Sequence, residues 1–306
     1  MLYKLLDNNE FNILLYGLTP PKVTHTKEDI LAISQRQIDR LKGAPIDGIV
    51  MYDLQDEAER TALKRPFPFL ETIDPTEYVD RYLKSLQKPA IIYRAIGKYS
   101  HEETELWLIN RNSTDSISVF VGAASKNQKV QMSIKDAYVL CKKVAPNMKL
   151  GGIAIAERHS QKNDEDFRVI DKMKQGCSFF ITQAVYDFNS AKKFLKDYAK
   201  RVEETKANAA PIIFTLTPCG SEKTLDFMKW LGIEIPSDIE IALKEAPCML
   251  QASVGHILEV YYRLYALGKE LNIPIGCNVE SVAIRKAEIE ASIEMIYALR
   301  GFMTNS

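Results

Sequence analysis

KMKQGCSFFITQAVYD, residues 172–187, holds the end of one helix, a stop, a buried strand and the start of a second helix. Gly176 follows the last helical turn, where a glycine ends a helix at no steric cost. Ser178 to Thr182, SFFIT, is mostly aromatic and β-branched, the composition of a strand packed on both sides. Thr182 and Gln183 put polar groups at the strand's end, and Asp187 is placed to cap the next helix. If this unit repeats, polar side chains collect at one end of a parallel sheet.

It does repeat. Apolar runs at Phe11–Leu18, Asp47–Tyr52, Pro89–Ile96, Ile117–Val121, Gly151–Ala156, Pro211–Leu216 and Ile273–Val279 read as strands like Ser178–Thr182. Between them lie helical segments: Glu28–Leu41 opened by Thr24 or Thr26, a start at Asp74-Pro75, His101–Asn110, Ser133 to Val144, Asp164–Lys174, Asn189–Glu204, Met249–Leu271 and Ser281–Leu299. The strands are continuous apolar runs, as in a parallel sheet covered on both faces. Eight βα units predict an α/β fold, a single (β/α)8 TIM barrel domain over residues 1–306. The competing arrangement is an open doubly wound sheet, but no glycine-rich fingerprint follows the first strand.

With 306 residues at 46% hydrophobic composition, the chain can bury a full core. Forty basic residues balance forty acidic ones, so nothing points to nucleic acid or a membrane surface as partner. Charges precede any apolar run in Met1–Glu10, and no apolar run reaches the roughly 18 residues of a membrane span. The five cysteines are scattered, without metal or redox spacing, and are expected as reduced thiols in a cytoplasmic protein. Tyr261, Tyr262 and Tyr265 either pack in the core or form a surface for a homo-oligomer.

In such a barrel the chemistry lies at the C-terminal strand ends. These ends carry Tyr16; Asp53, Gln55, Asp56 and Glu57; Arg94 and Lys98; Ser125 and Lys126; Glu157, Arg158 and His159; Gln183 and Tyr186; Thr215 and Thr217; Asn278 and Glu280. The set suits an extended, polar heteroaromatic small molecule. Against this, Asp53, Asp56 and Glu57 read equally well as a solvated loop, and Arg94 and Lys98 as their ion-pair partners. Glu157 is placed either for proton transfer or for a salt bridge to Arg158 or Lys172.

ITQAVYD after a glycine-stopped helix resembles the methylenetetrahydrofolate reductases. So do Leu18-Thr19-Pro20-Pro21-Lys22 after the first strand, Ala156-Glu157-Arg158-His159 after the fifth, and the Pro211–Pro236 stretch. The resemblance implies a (β/α)8 barrel that uses FAD to pass a hydride from NAD(P)H to a tetrahydrofolate derivative. It implies that Gln183 contacts the pterin, with Arg94, Tyr186 and Glu280 as further substrate contacts. His159 and Lys172 would lie near the flavin phosphates and ribose, with Tyr52 as a third cofactor contact. Two departures stand out. Where the family carries a first-strand glutamate as general acid, this chain has Gly17. Where its fourth strand ends in Arg-Gly-Asp, this chain has Val121-Gly122-Ala123. Three expectations follow: a reductase whose acid is replaced by Asp53, Glu57 or Glu157; a different reaction on a folate one-carbon unit; or a non-catalytic folate-binding relative.

Overall fold

A computed structural model describes residues 2–57, 61, 64–123 and 128–305. Its elements run α1 (Leu2–Asp7), β1 (Leu14–Leu18), α2 (Lys27–Leu41), β2 (Gly48–Met51), α3 (Pro75–Tyr82), β3 (Ala90–Ala95), α4 (His101–Asn110), β4 (Ile117–Val121), α5 (Ile134–Val144) and β5 (Lys149–Ala154). The chain continues through α6 (Ala156–Lys162), α7 (Glu165–Lys174), β6 (Cys177–Ala184), α8 (Phe188–Thr205), β7 (Ile212–Leu216), α9 (Glu222–Trp230), α10 (Ser237–Glu245), α11 (Met249–Leu271), β8 (Ile275–Val279) and α12 (Lys286–Asn305). The strands pair in sequence order, all parallel, and β1 closes on β8 through Leu14–Cys277 and Tyr16–Val279. This is the expected (β/α)8 barrel, not an open sheet.

Helix starts follow local chemistry. Thr26 and Asp29 form a capping box on α2, Asp74 caps α3 ahead of Pro75, and Asp187 caps α8 through the Asn189 amide. Gly176 ends the α7 segment at φ +106°, a conformation that favours glycine.

Both faces of the strands are buried because each faces a different core. Leu15, Val50, Ile91, Val119, Ile181 and Ile213 fill the barrel interior. Leu14, Ile49, Ile92, Phe120, Phe180 and Phe214 pack outward under the helices. Helix α1, which carries no periodic pattern long enough to read from sequence, puts Leu2 and Leu6 into the interior cluster. Tyr261 and Tyr265 are buried against Phe302, so they belong to core packing and not to a partner surface.

The phenylalanines of the 172–187 stretch have dedicated room on β5. A side chain at Gly151 would meet the Phe179 ring at 2.4 Å, and one at Gly152 would meet the Phe180 ring at 2.8 Å. The two glycines therefore let both rings approach β5 closely. Beyond Ile181 the register of β6 on β7 slips by one residue. The Thr182 hydroxyl fills the gap, accepting from the Thr215 amide at 3.1 Å while donating to the Gln183 carbonyl at 2.7 Å. Such a bulge re-aims the side chains that follow it.

Overpacking at a filled position should cost about 1–3 kcal/mol, so Gly151→Ala is expected to lower the urea midpoint. Gly301, within α12 with nothing within 4 Å of an added methyl group, is the control. Gly301→Ala is expected to raise stability by about 0.5–1 kcal/mol through helix propensity.

Candidate functional site

Strand alternation carries Leu15 into the barrel, so Gly17 faces inward two residues later, at the C-terminal mouth. It presents no side chain. A Cβ there would lie 2.8 Å from Tyr52 Cε2, 2.9 Å from Tyr52 Oη and 2.9 Å from Glu280 Cβ. The space belonging to β1 is thus occupied by residues just beyond β2 and β8.

These two residues anchor a polar floor. The Tyr52 ring meets Tyr93 edge-on, with centroids 4.9 Å apart. Asn278 donates to the Tyr52 hydroxyl at 2.8 Å and to the Thr215 hydroxyl at 3.3 Å. The Tyr52 hydroxyl in turn hydrogen-bonds the Glu280 carboxyl. Burial pushes the Glu280 carboxyl up to about 7, against the lowering effect of the Tyr52 bond. Burial, then the Glu280 charge, raises the Tyr52 phenol well above its usual range. Both side chains nonetheless keep part of their surface open. A group deep in a concave mouth is surrounded by protein and still reachable by a ligand.

Around this floor, other strand ends are tied down. Asp53 accepts from the Ala95 amide at 2.8 Å, the Lys98 ammonium at 2.6 Å and the Tyr99 hydroxyl at 3.0 Å. It is a buried pin between the ends of β2 and β3, not a residue of a solvated loop. Gln55 donates to the Gly122 carbonyl at 3.1 Å, joining the ends of β2 and β4. The described part of the segment after β2 bridges Thr72 to Lys22 beyond β1 and sets Phe67 edge-on to Phe227 of α9 at 5.1 Å. Glu57 lies on this segment, partly exposed. Gln183 donates to the Leu231 carbonyl beyond α9 at 2.6 Å. Ser125 and Lys126, expected at the end of β4, lie outside the described residues.

Several sequence candidates are held elsewhere. Glu157, Arg158 and His159 do not extend β5; they form the first turns of α6. His159 is fully buried in the helical layer, 2.7 Å from Asp197 of α8 and 3.7 Å from Asp166 of α7, with its ring against Phe194. The Lys172 ammonium is spent on the Ile153 carbonyl, and burial lowers its pKa. Arg94 faces outward, pairs with Asp74 at 2.8 Å and stacks on Tyr99. Tyr186 is sealed, donating to the Thr217 carbonyl at 2.7 Å. Arg158 pairs with Glu165 and not with Glu157. Glu157 is 3% exposed, and neither carboxyl oxygen has a hydrogen-bond partner among the described residues. Burial, reinforced by Glu234, Asp187 and Glu165, pushes its carboxyl up to about 8.

Tyr93 is absent from the strand-end candidates because it lies two residues inside its strand. The readable sign of the floor was parity: Asn278 and Glu280 are polar, two apart, at the end of an apolar strand. No helix among the described residues is long and apolar enough to cross a membrane.

Comparison with known proteins fits this geometry. The family profile described as methylenetetrahydrofolate reductase matches residues 117–268. No curated protein matches the chain in sequence. Among solved structures, an uncharacterized protein from Clostridium thermocellum that binds two copies of 5-methyl-5,6,7,8-tetrahydrofolic acid is 46% identical, with TM-score 0.89 over 99% of this chain and 100% of that one. The HPPK-DHPS protein of Plasmodium falciparum, solved with pteroate, is 9% identical with TM-score 0.50 over 97% of this chain and 48% of that one, a likeness of fold alone. On the profile match and the full-length relative together, this chain belongs to the methylenetetrahydrofolate reductase family.

Proposed function

We propose that the protein binds a reduced folate at the mouth of the barrel and acts on its one-carbon unit, with a nicotinamide dinucleotide as hydride source. The observation that carries this reading is the full-length relative, 46% identical, that holds 5-methyltetrahydrofolate. The floor supplies matching chemistry. The Tyr52 and Tyr93 rings offer apolar surface to a pterin, and Asn278, Thr215 and Glu280 offer donors and acceptors beside them. Gln183 spends its amide nitrogen on Leu231, which leaves its oxygen for a pterin N–H.

Two of the three residues expected to hold FAD, His159 and Lys172, do not fit that group. His159 is held between Asp166 and Asp197 of the helical layer, and the Lys172 ammonium is held on the Ile153 carbonyl of β5. The described end of β4, Val121-Gly122-Ala123, carries no charged side chain, and the Gly122 carbonyl is engaged by Gln55. No step through flavin is therefore derived, and the hydride is assigned to direct transfer from the nicotinamide. A second reading, folate binding without hydride transfer, is favoured by Val121-Gly122-Ala123 standing in place of Arg-Gly-Asp. Oxidation of NADH or NADPH on addition of 5,10-methylenetetrahydrofolate decides between them. Folate-induced thermal stabilisation without that oxidation would support the second, and a flavin absorbance band in the purified protein would overturn the flavin-free assignment.

Gln183→Ala is expected to weaken 5-methyltetrahydrofolate binding about tenfold, the worth of one hydrogen bond. Calorimetric titration checks this, and unchanged affinity would remove Gln183 from the pterin contact. Glu157 bears on stability. Its carboxyl is held up to about 8 in the folded protein, against an ordinary value of 4.5, so the native state holds the proton more tightly. The stability it contributes is complete at acid pH and is lost as pH rises through about 8. Glu157→Gln should therefore flatten the decline in urea midpoint between pH 5 and pH 8.5; an unaltered decline would rule out Glu157 as its source.

A further inference from the structure

We infer that Glu280, supported by Tyr52, is the carboxyl that exchanges a proton with a nitrogen of the bound folate. This assignment rests on the folate reading above and names the group that performs its acid–base chemistry. Of the acids expected from sequence for this task, Asp53 and Glu157 lack the necessary combination of place and freedom.

Place comes from Gly17. Because β1 supplies no side chain, Tyr52 and Glu280 close over it, with the Glu280 Cβ 2.9 Å from where a Gly17 Cβ would stand. The carboxyl is thereby held at the floor of the mouth, at the end of β8. Freedom separates it from the other buried acids. Both Asp53 oxygens are taken by Ala95, Lys98 and Tyr99. Glu165 is taken by the Ile155 amide, Arg158 and Arg168. Glu288 holds the Gly220 amide and the Thr224 hydroxyl through one oxygen, and it and Glu157 are sealed by burial. Among the described residues the Tyr52 hydroxyl is the partner of the Glu280 carboxyl, and Glu280 retains open surface.

Its surroundings leave it able to change charge. The titratable groups coupled to it are Tyr16 from β1, Tyr52 beyond β2 and Tyr93 from β3, all neutral phenols around neutral pH. Asn278 and Thr215 are uncharged. Among the described residues no lysine or arginine pairs with it, so burial and the Tyr52 bond decide its protonation, and both forms are populated near neutrality.

In the acid form Glu280 donates its proton to one of the two folate nitrogens bridged by the one-carbon unit. The bond from carbon to that nitrogen breaks and its electron pair stays on the nitrogen. The lone pair of the other nitrogen closes a C=N iminium, and Glu280 is left as a carboxylate hydrogen-bonded by Tyr52. One proton moves, one σ bond is exchanged for one π bond, and no oxidant or reductant is consumed. The iminium is the form that accepts a hydride.

The test is the affinity for 5-methyltetrahydrofolate, measured by calorimetry from about pH 6 to about pH 8 on wild type, Glu280→Gln and Tyr52→Phe, each first shown to unfold cooperatively. Wild type should vary several-fold with an inflection near neutrality, and Glu280→Gln should stay within about twofold across the range. Tyr52→Phe removes a bond that favours the charged form, so its inflection should move to higher pH, a shift that a purely structural role for Tyr52 would not produce. A wild-type inflection that survives in Glu280→Gln, or is absent from wild type while folate still binds, overturns the assignment alone. Failure of wild type to bind the folate at any pH overturns the folate reading, and the assignment with it.

Discussion

The missing side chain at Gly17 is the constraint on which the candidate site depends. Closing β1 onto β8 brings the ends of β1, β2 and β8 side by side, and their inward-facing residues compete for one small volume. A side chain on β1 would take that volume. Glycine cedes it, and the Tyr52 ring and Glu280 move in, linked by a hydrogen bond and braced by Asn278. The floor of the mouth is a consequence of which strand yields.

The buried carboxyls show how the same residue type is put to different uses by its partners. Asp53 and Glu165 are satisfied by amide donors and cations, and act as pins between neighbouring elements. Such pairs hold geometry more than they add net stability, because each charge has lost its water. Glu157 sits among other acids in a sealed pocket, where desolvation favours the proton. Glu280 lies between these extremes, desolvated enough to hold a proton and open enough to release it to a ligand. Sequence alone does not separate these uses, because each depends on partners distant in the chain.

Much of the architecture is legible locally. Strands show as apolar β-branched runs, and helices show through caps such as Thr26, Asp74, Ser133 and Asp187, whose side chains bind backbone amides a few residues away. Two elements escape. Helix α1 is too short to show a period and is held by the interior it fills. Helix α6 begins directly after β5, so Glu157 and His159 read as strand-end residues when they are helical ones. His159, Lys172 and Arg94 look like binding groups because they are polar beside a strand, and each is engaged by a partner distant in sequence: Asp197, the Ile153 carbonyl and Asp74.

The sequence by itself determined the (β/α)8 barrel, the end of the barrel where polar groups collect, and the family resemblance. All three rest on short-range signals: period, caps, and the order of motifs. Only the tertiary structure decided which polar residues face the mouth. That depends on inward or outward parity, on the one-residue slip at Thr182, and on the volume left by Gly17. Parity and register are properties of strand pairs, and a vacated volume belongs to three strands at once, so no single stretch of chain encodes them.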